Sequence, residues 1–311
     1  MAKLSTFTVS ELLDRDFDPV SFVVPRFIPI GLTLLAGKPK IGKSWLLLNI
    51  ARAVAQGGVL FGEVTEPGSV LVLALEDNER RLKARLKTML GSSPPPETMH
   101  MTTKCPRIGE GCEQAITEWV KTADRPRLVI VDVLGQVRPK SDSKRAYDDD
   151  YAAIGPLKKI ADDAGIAIIV CHHTRKEQAA DPFDAISGTT GLAGASDTVI
   201  IMDRGPTGTT LYGRGRDLEE FEVMLSFDPR AGSWRLVGDA AEATRSVERT
   251  AILAALRQIG APTGPKEVAD AARLSAGSVK KMMPKMVAAG DLVKMARGTY
   301  WLADQPDPGL H

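Results

Sequence analysis

The sequence predicts an α/β domain on a mostly parallel central sheet, followed by a small unit of three helices and a hairpin. Three observations predict it. Between Gly31 and about Asp203, strand-like runs alternate with helix-like runs. Two of these runs, Val129-Ile130-Val131 and Ile166-Ala167-Ile168-Ile169-Val170, are apolar on both faces, as interior strands of a helix-covered parallel sheet must be. Residues 37–44 read Gly-Lys-Pro-Lys-Ile-Gly-Lys-Ser, a full match to the phosphate-binding pattern G-x-x-x-x-G-K-[ST], placed between an apolar strand and a helix.

The elements follow in order. The first 30 residues form a lead-in, with a short helix near Val9–Leu13 and an extended, proline-bearing stretch over 22–29. Strands are expected at 32–36, 69–75, 99–103, 128–133, 166–171 and 197–203, and helices at 43–56, 78–90, 111–123, 150–164 and 189–195. Residues 209–216, 222–227 and 233–237 alternate in polarity between Gly-Pro, Asp-Pro and Ala-Gly breaks, so they read as antiparallel strands extending the sheet. The core therefore spans 1–237. Residues 238–246 are small and polar, a linker. Residues 247–303 carry helical spacing over 247–259, a helix opened by Pro265, a third helix over 276–289 capped by Ser275, and two strands flanking Arg297-Gly298. Three helices and a two-stranded wing describe a winged helix-turn-helix; residues 304–311 are a tail.

Composition narrows the class. The 311 residues are 43% hydrophobic and 25% charged, with a net charge of +1 and 3 cysteines. These are values of a soluble globular protein. No apolar run approaches the roughly 20 residues that cross a bilayer, and the N-terminus lacks an apolar signal core. Sparse, odd cysteines without C-x-x-C spacing indicate reduced thiols and a cytoplasmic location.

The chemistry starts at the glycine loop. Gly37, Lys38, Pro39, Lys40, Ile41, Gly42, Lys43, Ser44 and Trp45 form the expected ATP-binding segment. Its glycines let backbone N–H groups turn inward, and the following helix start adds its dipole. Lys43 is expected to reach the β- and γ-phosphates and Ser44 to hold Mg²⁺. Asp132 ends a hydrophobic strand, where an acid can orient the Mg²⁺ shell. Glu76 ends the strand 69–75 and is the expected general base, with Asp77 the alternative. His173 ends another strand, where a polar group could touch the γ-phosphate. Cys171, His172 and His173 alternate across that strand and cannot readily close round one ion. Arg204, Arg214 and Arg216 lie on or near the added strands. Arg214 and Arg216, flanked by glycines, are the candidates for an arginine delivered to a neighbouring subunit.

These residues together resemble the RecA-like ATPases and, within them, the RepA-type hexameric helicases (AAA_25-like). The resemblance covers roughly residues 8–230. It rests on residues 31–44, on Leu75-Glu76-Asp77 followed by Arg81-Leu82, on Val129-Ile130-Val131-Asp132 and on His172-His173-Thr174-Arg175-Lys176. It implies a homo-oligomeric ring, a hexamer, with ATP at each interface. It also implies single-stranded DNA in the channel, faced by loops at 138–150 and 175–188. The chain departs from the pattern in two places. Ser187-Gly188-Thr189-Thr190 stands where the family often has Arg-Gly-Ser-Ser. Asp197 stands where RepA-type helicases place a finger arginine, so the trans arginine must come from elsewhere. Asp181 and Asp184 also make the second loop acidic.

Residues 245–303 hold ten basic and four acidic side chains, a local charge of about +6, which leaves the remainder at about −5. In the third helix Val279, Met282 and Met286 are expected to pack inward. Ser278, Lys281 and Lys285 fall on another face, and Arg297 sits at the wing tip. These four are the expected duplex-DNA contacts. The expected function is ATP hydrolysis coupled to DNA, as a RepA-type replicative helicase or translocase. The alternative is a DNA-binding or recombination ATPase that uses ATP as a switch without unwinding.

Overall fold

The structure is a computed structural model; it describes residues 6–139, 146–174, 181–185, 190–205, 208–296 and 298–305. A short capped helix α1 (Val9–Leu13) leads to a small antiparallel pair, β1 (Phe22–Val24) and β2 (Ile28–Pro29). Then come β3 (Gly31–Gly37), α2 (Lys43–Gln56), the small pair β4 (Val59–Leu60) and β5 (Glu63–Val64), β6 (Ser69–Ala74), α3 (Glu79–Leu90), β7 (Met99–Thr102), α4 (Cys112–Thr122) and β8 (Pro126–Asp132). The chain continues through α5 (Leu134–Val137), α6 (Ala146–Ala164), β9 (Ala167–His173), a 3₁₀ turn (Pro182–Ala185), α7 (Thr190–Ala195) and four strands, β10 (Thr198–Gly205), β11 (Gly208–Gly215), β12 (Phe221–Asp228) and β13 (Ser233–Asp239).

One nine-stranded sheet runs in the order β13-β12-β11-β10-β3-β9-β8-β6-β7. From β3 to β7 every pairing is parallel. All six residues of β6 are buried, as are six of seven in β3, which is why these stretches read as unbroken apolar runs. β10 to β13 are neighbours in sequence and in space, and only residues 206–207 join β10 to β11, a connection that permits antiparallel pairing alone. The sheet is thus mixed: a parallel core carries added strands at the positions where the polarity of residues 209–216, 222–227 and 233–237 predicts them. α2 lies against β6 and β8, and α6 against β3 and β9. Parallel strands present their C-terminal ends together, and register sets His173 beside Gly37 and Asp132 beside Ala74.

The chain divides into two compact units. The first holds Met1–Ile201, Gly213–Glu220 and Pro229–Ser233, the second Met202–Tyr212, Phe221–Asp228 and everything from Trp234. In the second unit α8 (Ala240–Ile259), α9 (Pro265–Ala272), α10 (Ala276–Ala288) and the antiparallel pair β14 (Leu292–Ala296) and β15 (Thr299–Leu302) share a core that includes Ile252, Leu256, Val268, Val279, Met286 and Trp301. Two local expectations are corrected. The polar stretch 238–246 is not an extended linker: helix α8 starts at Ala240 and runs unbroken to Ile259. In α10 it is Met283 that is fully buried, whereas Met282 is only partly covered. Helical steps of four from Val279 continue the buried stripe through Met283, and steps of three through Met282 turn out of it. Ser275 caps α10 by accepting from the Ser278 N–H at 3.1 Å.

The turn Pro229–Ser233 docks within the first unit onto the start of α2. Asn49 donates through Nδ2 to the Gly232 carbonyl at 2.9 Å. A Cβ placed on Gly232, whose φ is +56°, would lie 2.4 Å from the Trp45 ring. Gly232→Ala should therefore combine overpacking with left-handed strain and lower the unfolding free energy by about 1–3 kcal/mol, read from urea denaturation.

Candidate active site

The loop between β3 and α2 is shaped by backbone conformations that few residues adopt: Lys40 has φ +63° and Gly42 has φ +110°. Helix α2 starts at Lys43 with no side chain capping it, so its N-terminus opens on a cleft of about 420 Å³. Gly42, Lys43, Ser44, Glu76, Asp132 and His173 all line that cleft.

Lys43 is only 5% exposed. Its ammonium donates to the Gly37 carbonyl at 2.6 Å and the Lys38 carbonyl at 3.0 Å, and lies 3.2 Å from His173 Nδ1. Three donors on a lysine meet three acceptors, so Nδ1 accepts and the imidazole proton sits on Nε2. That Nε2 is 3.6 Å from Glu76 Oε2. The strand ends therefore set up the order Lys43, His173, Glu76 across the cleft. Burial pushes the Lys43 ammonium below its usual range, against the raising effect of Cys171, Asp132 and Glu76.

Asp132 ends β8, half-buried, one strand away from Glu76. Its carbonyl accepts from the Leu75 N–H at 2.7 Å, which ties the two strand ends together. The Asp132–Val133 peptide is cis. Behind the cleft lies Cys171, buried at the end of β9. Burial first, and then the Asp132 charge, push its thiol well above the usual range.

Glu76 and Asp77 separate clearly. The Glu76 carboxylate is about half exposed to the cleft. That of Asp77 is 8% exposed and gripped by two guanidinium groups, Arg81 through Nε and Arg85 through Nη1 at 2.6 Å. Arg85 also lies over the Trp45 ring, 5.6 Å from its centroid. The helix cap belongs to Asn78, whose side chain accepts from the Arg81 N–H at 2.9 Å. Both arginines line the cleft, a position that no motif in the sequence assigns to them. The available signal is the four-residue spacing of Arg81 and Arg85 on α3, with Asp77 one further step of four before the helix starts.

The arginines on the added strands lie elsewhere. Arg214 pairs with Glu220 at 2.6 Å and Asp181 at 3.7 Å and stacks over Phe183, its centroid 4.3 Å away. Arg216 reaches Asp197 at 3.6 Å. Arg204 reaches the Thr209 hydroxyl at 3.5 Å. Asp197 is a local hub: it accepts from the Leu32 N–H at 3.0 Å and from Lys158 at 2.7 Å. In the second unit, Lys281 and Lys285 are exposed on α10, while Ser278 is half-buried and accepts from the Ser275 hydroxyl at 3.0 Å. Arg297 and most of the two expected DNA-facing loops lie outside the described residues.

Residues 2–179 match the AAA_25 family of AAA domains. The chain belongs to the AAA_25 family. Two solved structures share its fold. The first is an ATPase domain, which superposes with a TM-score of 0.56 at 15% identity, over 73% of this chain and 95% of that one. The second is a DnaB-like replicative helicase, studied with primase. It superposes with a TM-score of 0.53 at 15% identity, over 74% of this chain and 66% of that one. The core is thus a RecA-like α/β P-loop NTPase fold. Membership of the AAA_25 family implies binding of ATP and Mg²⁺. The residues fit both. The uncapped start of α2 and the Lys43 ammonium suit phosphate oxygens. The Ser44 hydroxyl and Asp132 carboxylate are hard oxygen donors suited to Mg²⁺. Among the described residues no helix is long and apolar enough to cross a membrane.

The buried lysine gives the core a pH signature. Its folded-state pKa lies below 10.5. Between the two values the unfolded chain binds more protons than the folded one, so stability rises with pH through that window. Replacing Lys43 with Met should abolish this alkaline gain, measured as the change in unfolding free energy from neutral pH to about pH 10.

Proposed function

We propose that the chain is an ATP-hydrolysing protein acting on DNA, most concretely a RepA-type helicase or translocase assembled as a ring. The convergence of Lys43, His173, Glu76 and Asp132 on one cleft supports this reading above all. Lys43 would leave the Gly37 and Lys38 carbonyls for the β- and γ-phosphate oxygens of ATP. Ser44 and Asp132 would hold Mg²⁺, which neutralises charge on the phosphates. Glu76 would polarise the attacking water, because Asp77 is occupied by Arg81 and Arg85. His173 would sense whether the γ-phosphate is present, a reading supported by its position between Lys43 and Glu76.

The three helices and hairpin after Ala240 would act as a winged helix-turn-helix that presents Lys281 and Lys285 to the DNA backbone. The exposure of both lysines supports it. The second reading is an ATP switch that binds DNA without unwinding. Its support is that Arg214 is engaged by Glu220 and Asp181 of its own chain, and that Asp197 builds an ion-pair hub where a finger arginine would sit.

Steady-state ATP hydrolysis with and without single-stranded DNA tests the reading. Lys43→Ala should remove turnover. Glu76→Gln should bind ATP yet lower kcat by about 10²-fold or more. Stimulation by single strands supports a motor, and indifference supports the switch. Charge reversal at Lys281 and Lys285 together should weaken DNA binding across sequences and reduce the slope of log K against log salt by about 2. Unchanged affinity would move the DNA contact to the core.

A further inference from the structure

Glu76 lies in the turn between β6 and α3, a segment without regular secondary structure of its own. A carboxylate on such a turn needs external restraint if it is to hold one water in line with a phosphate. Its neighbours are fixed: the Leu75 N–H on Asp132, the Asp77 N–H on Ala74, and the Asn78 side chain on α3. The restraint on Glu76 itself comes from Arg81. Its Nη2 donates to the Glu76 carbonyl at 2.9 Å while its Nε binds the Asp77 carboxylate. Arg85 holds the other Asp77 oxygen at 2.6 Å and rests on Trp45, the residue after Ser44. Arg81 thus fixes the main chain beneath Glu76, and Arg85 connects that turn to the start of α2.

We propose that Arg81 is a positioning residue for Glu76, gripping its carbonyl and the Asp77 carboxylate at once so that the Glu76 side chain is held toward the cleft. The proposal rests on Glu76 being the base. A purely structural role fits the geometry poorly. Arg81 is itself 53% exposed, and the nearly buried Asp77 carboxylate it holds keeps a guanidinium partner in Arg85 when Arg81 is removed. Helix α3 already has its cap in Asn78. The fork of an arginine suits the task because two of its nitrogens can address a carbonyl and a carboxylate together, whereas a lysine presents a single point charge.

The test is ATP hydrolysis and equilibrium binding of a fluorescent ATP analogue by the full chain, with thermal unfolding as the check on the fold. Arg81→Ala should lower kcat by about tenfold or more, because small misplacements of a catalytic group are expensive in rate. Its dissociation constant for the nucleotide should stay within about twofold of the parent. Arg81→Lys, which keeps the charge, should fall between the two and guards against a folding defect in the alanine variant. In a Glu76→Gln background, Arg81→Ala should cost almost nothing more, since the group it positions is already disabled. An unchanged kcat in Arg81→Ala would overturn the proposal. So would a loss of nucleotide affinity equal to the loss of rate, or a full tenfold effect in the Glu76→Gln background, because either makes Arg81 a direct phosphate contact. If Glu76→Gln alone leaves kcat intact, it is the assignment of the base that fails.

Discussion

The site depends on the burial of one charge. Lys43 is almost wholly removed from water, and an ammonium in that position is costly unless every donor finds an acceptor. The chain meets that demand with two loop carbonyls and one imidazole. Those acceptors come from two separate pieces of chain: the junction of β3 with the glycine loop, and the end of β9. Parallel pairing of β3 with β9 is what sets His173 beside Gly37. Both strands are buried on both faces along most of their length, so the packing that holds the core also holds this pairing. Core packing and the cleft are therefore one constraint, and phosphate oxygens are natural replacements for the carbonyls that Lys43 holds.

A second theme is how adjacent carboxylates acquire different work. Glu76 and Asp77 are neighbours in sequence and alike in chemistry. The turn after β6 points one into the cleft and the other against α3. Two guanidinium groups then occupy Asp77 and leave Glu76 facing His173. Environment, not residue type, separates the pair.

The Asp197 hub belongs to the same logic at the other side of β3. It joins Lys158 of α6, the Leu32 N–H and Arg216 around one 15%-exposed carboxylate. Gly31 leaves the room: a Cβ there would come within 2.8 Å of the Asp197 carboxylate. Asp197 is thereby committed to holding α6 and the start of β3. The added strands carry Arg214 into an ion pair with Glu220 and a stack on Phe183. Neither arrangement has a signature in the motifs of the chain.

The sequence alone determined the alternation of strands and helices, the glycine loop and the polar residue at each strand end. These are local properties: periodicity, turn chemistry and the length of apolar runs. It also located the buried stripe of α10 to within one residue, and it missed the helical start of α8, because small polar residues signal a linker and a helix N-terminus equally well. Only the tertiary structure decided that Asp77 belongs to Arg81 and Arg85, and that Gly232 makes room for Trp45. Each of these depends on which distant segments meet, and burial of apolar strands sets those meetings without leaving a pattern in the polar residues they bring together.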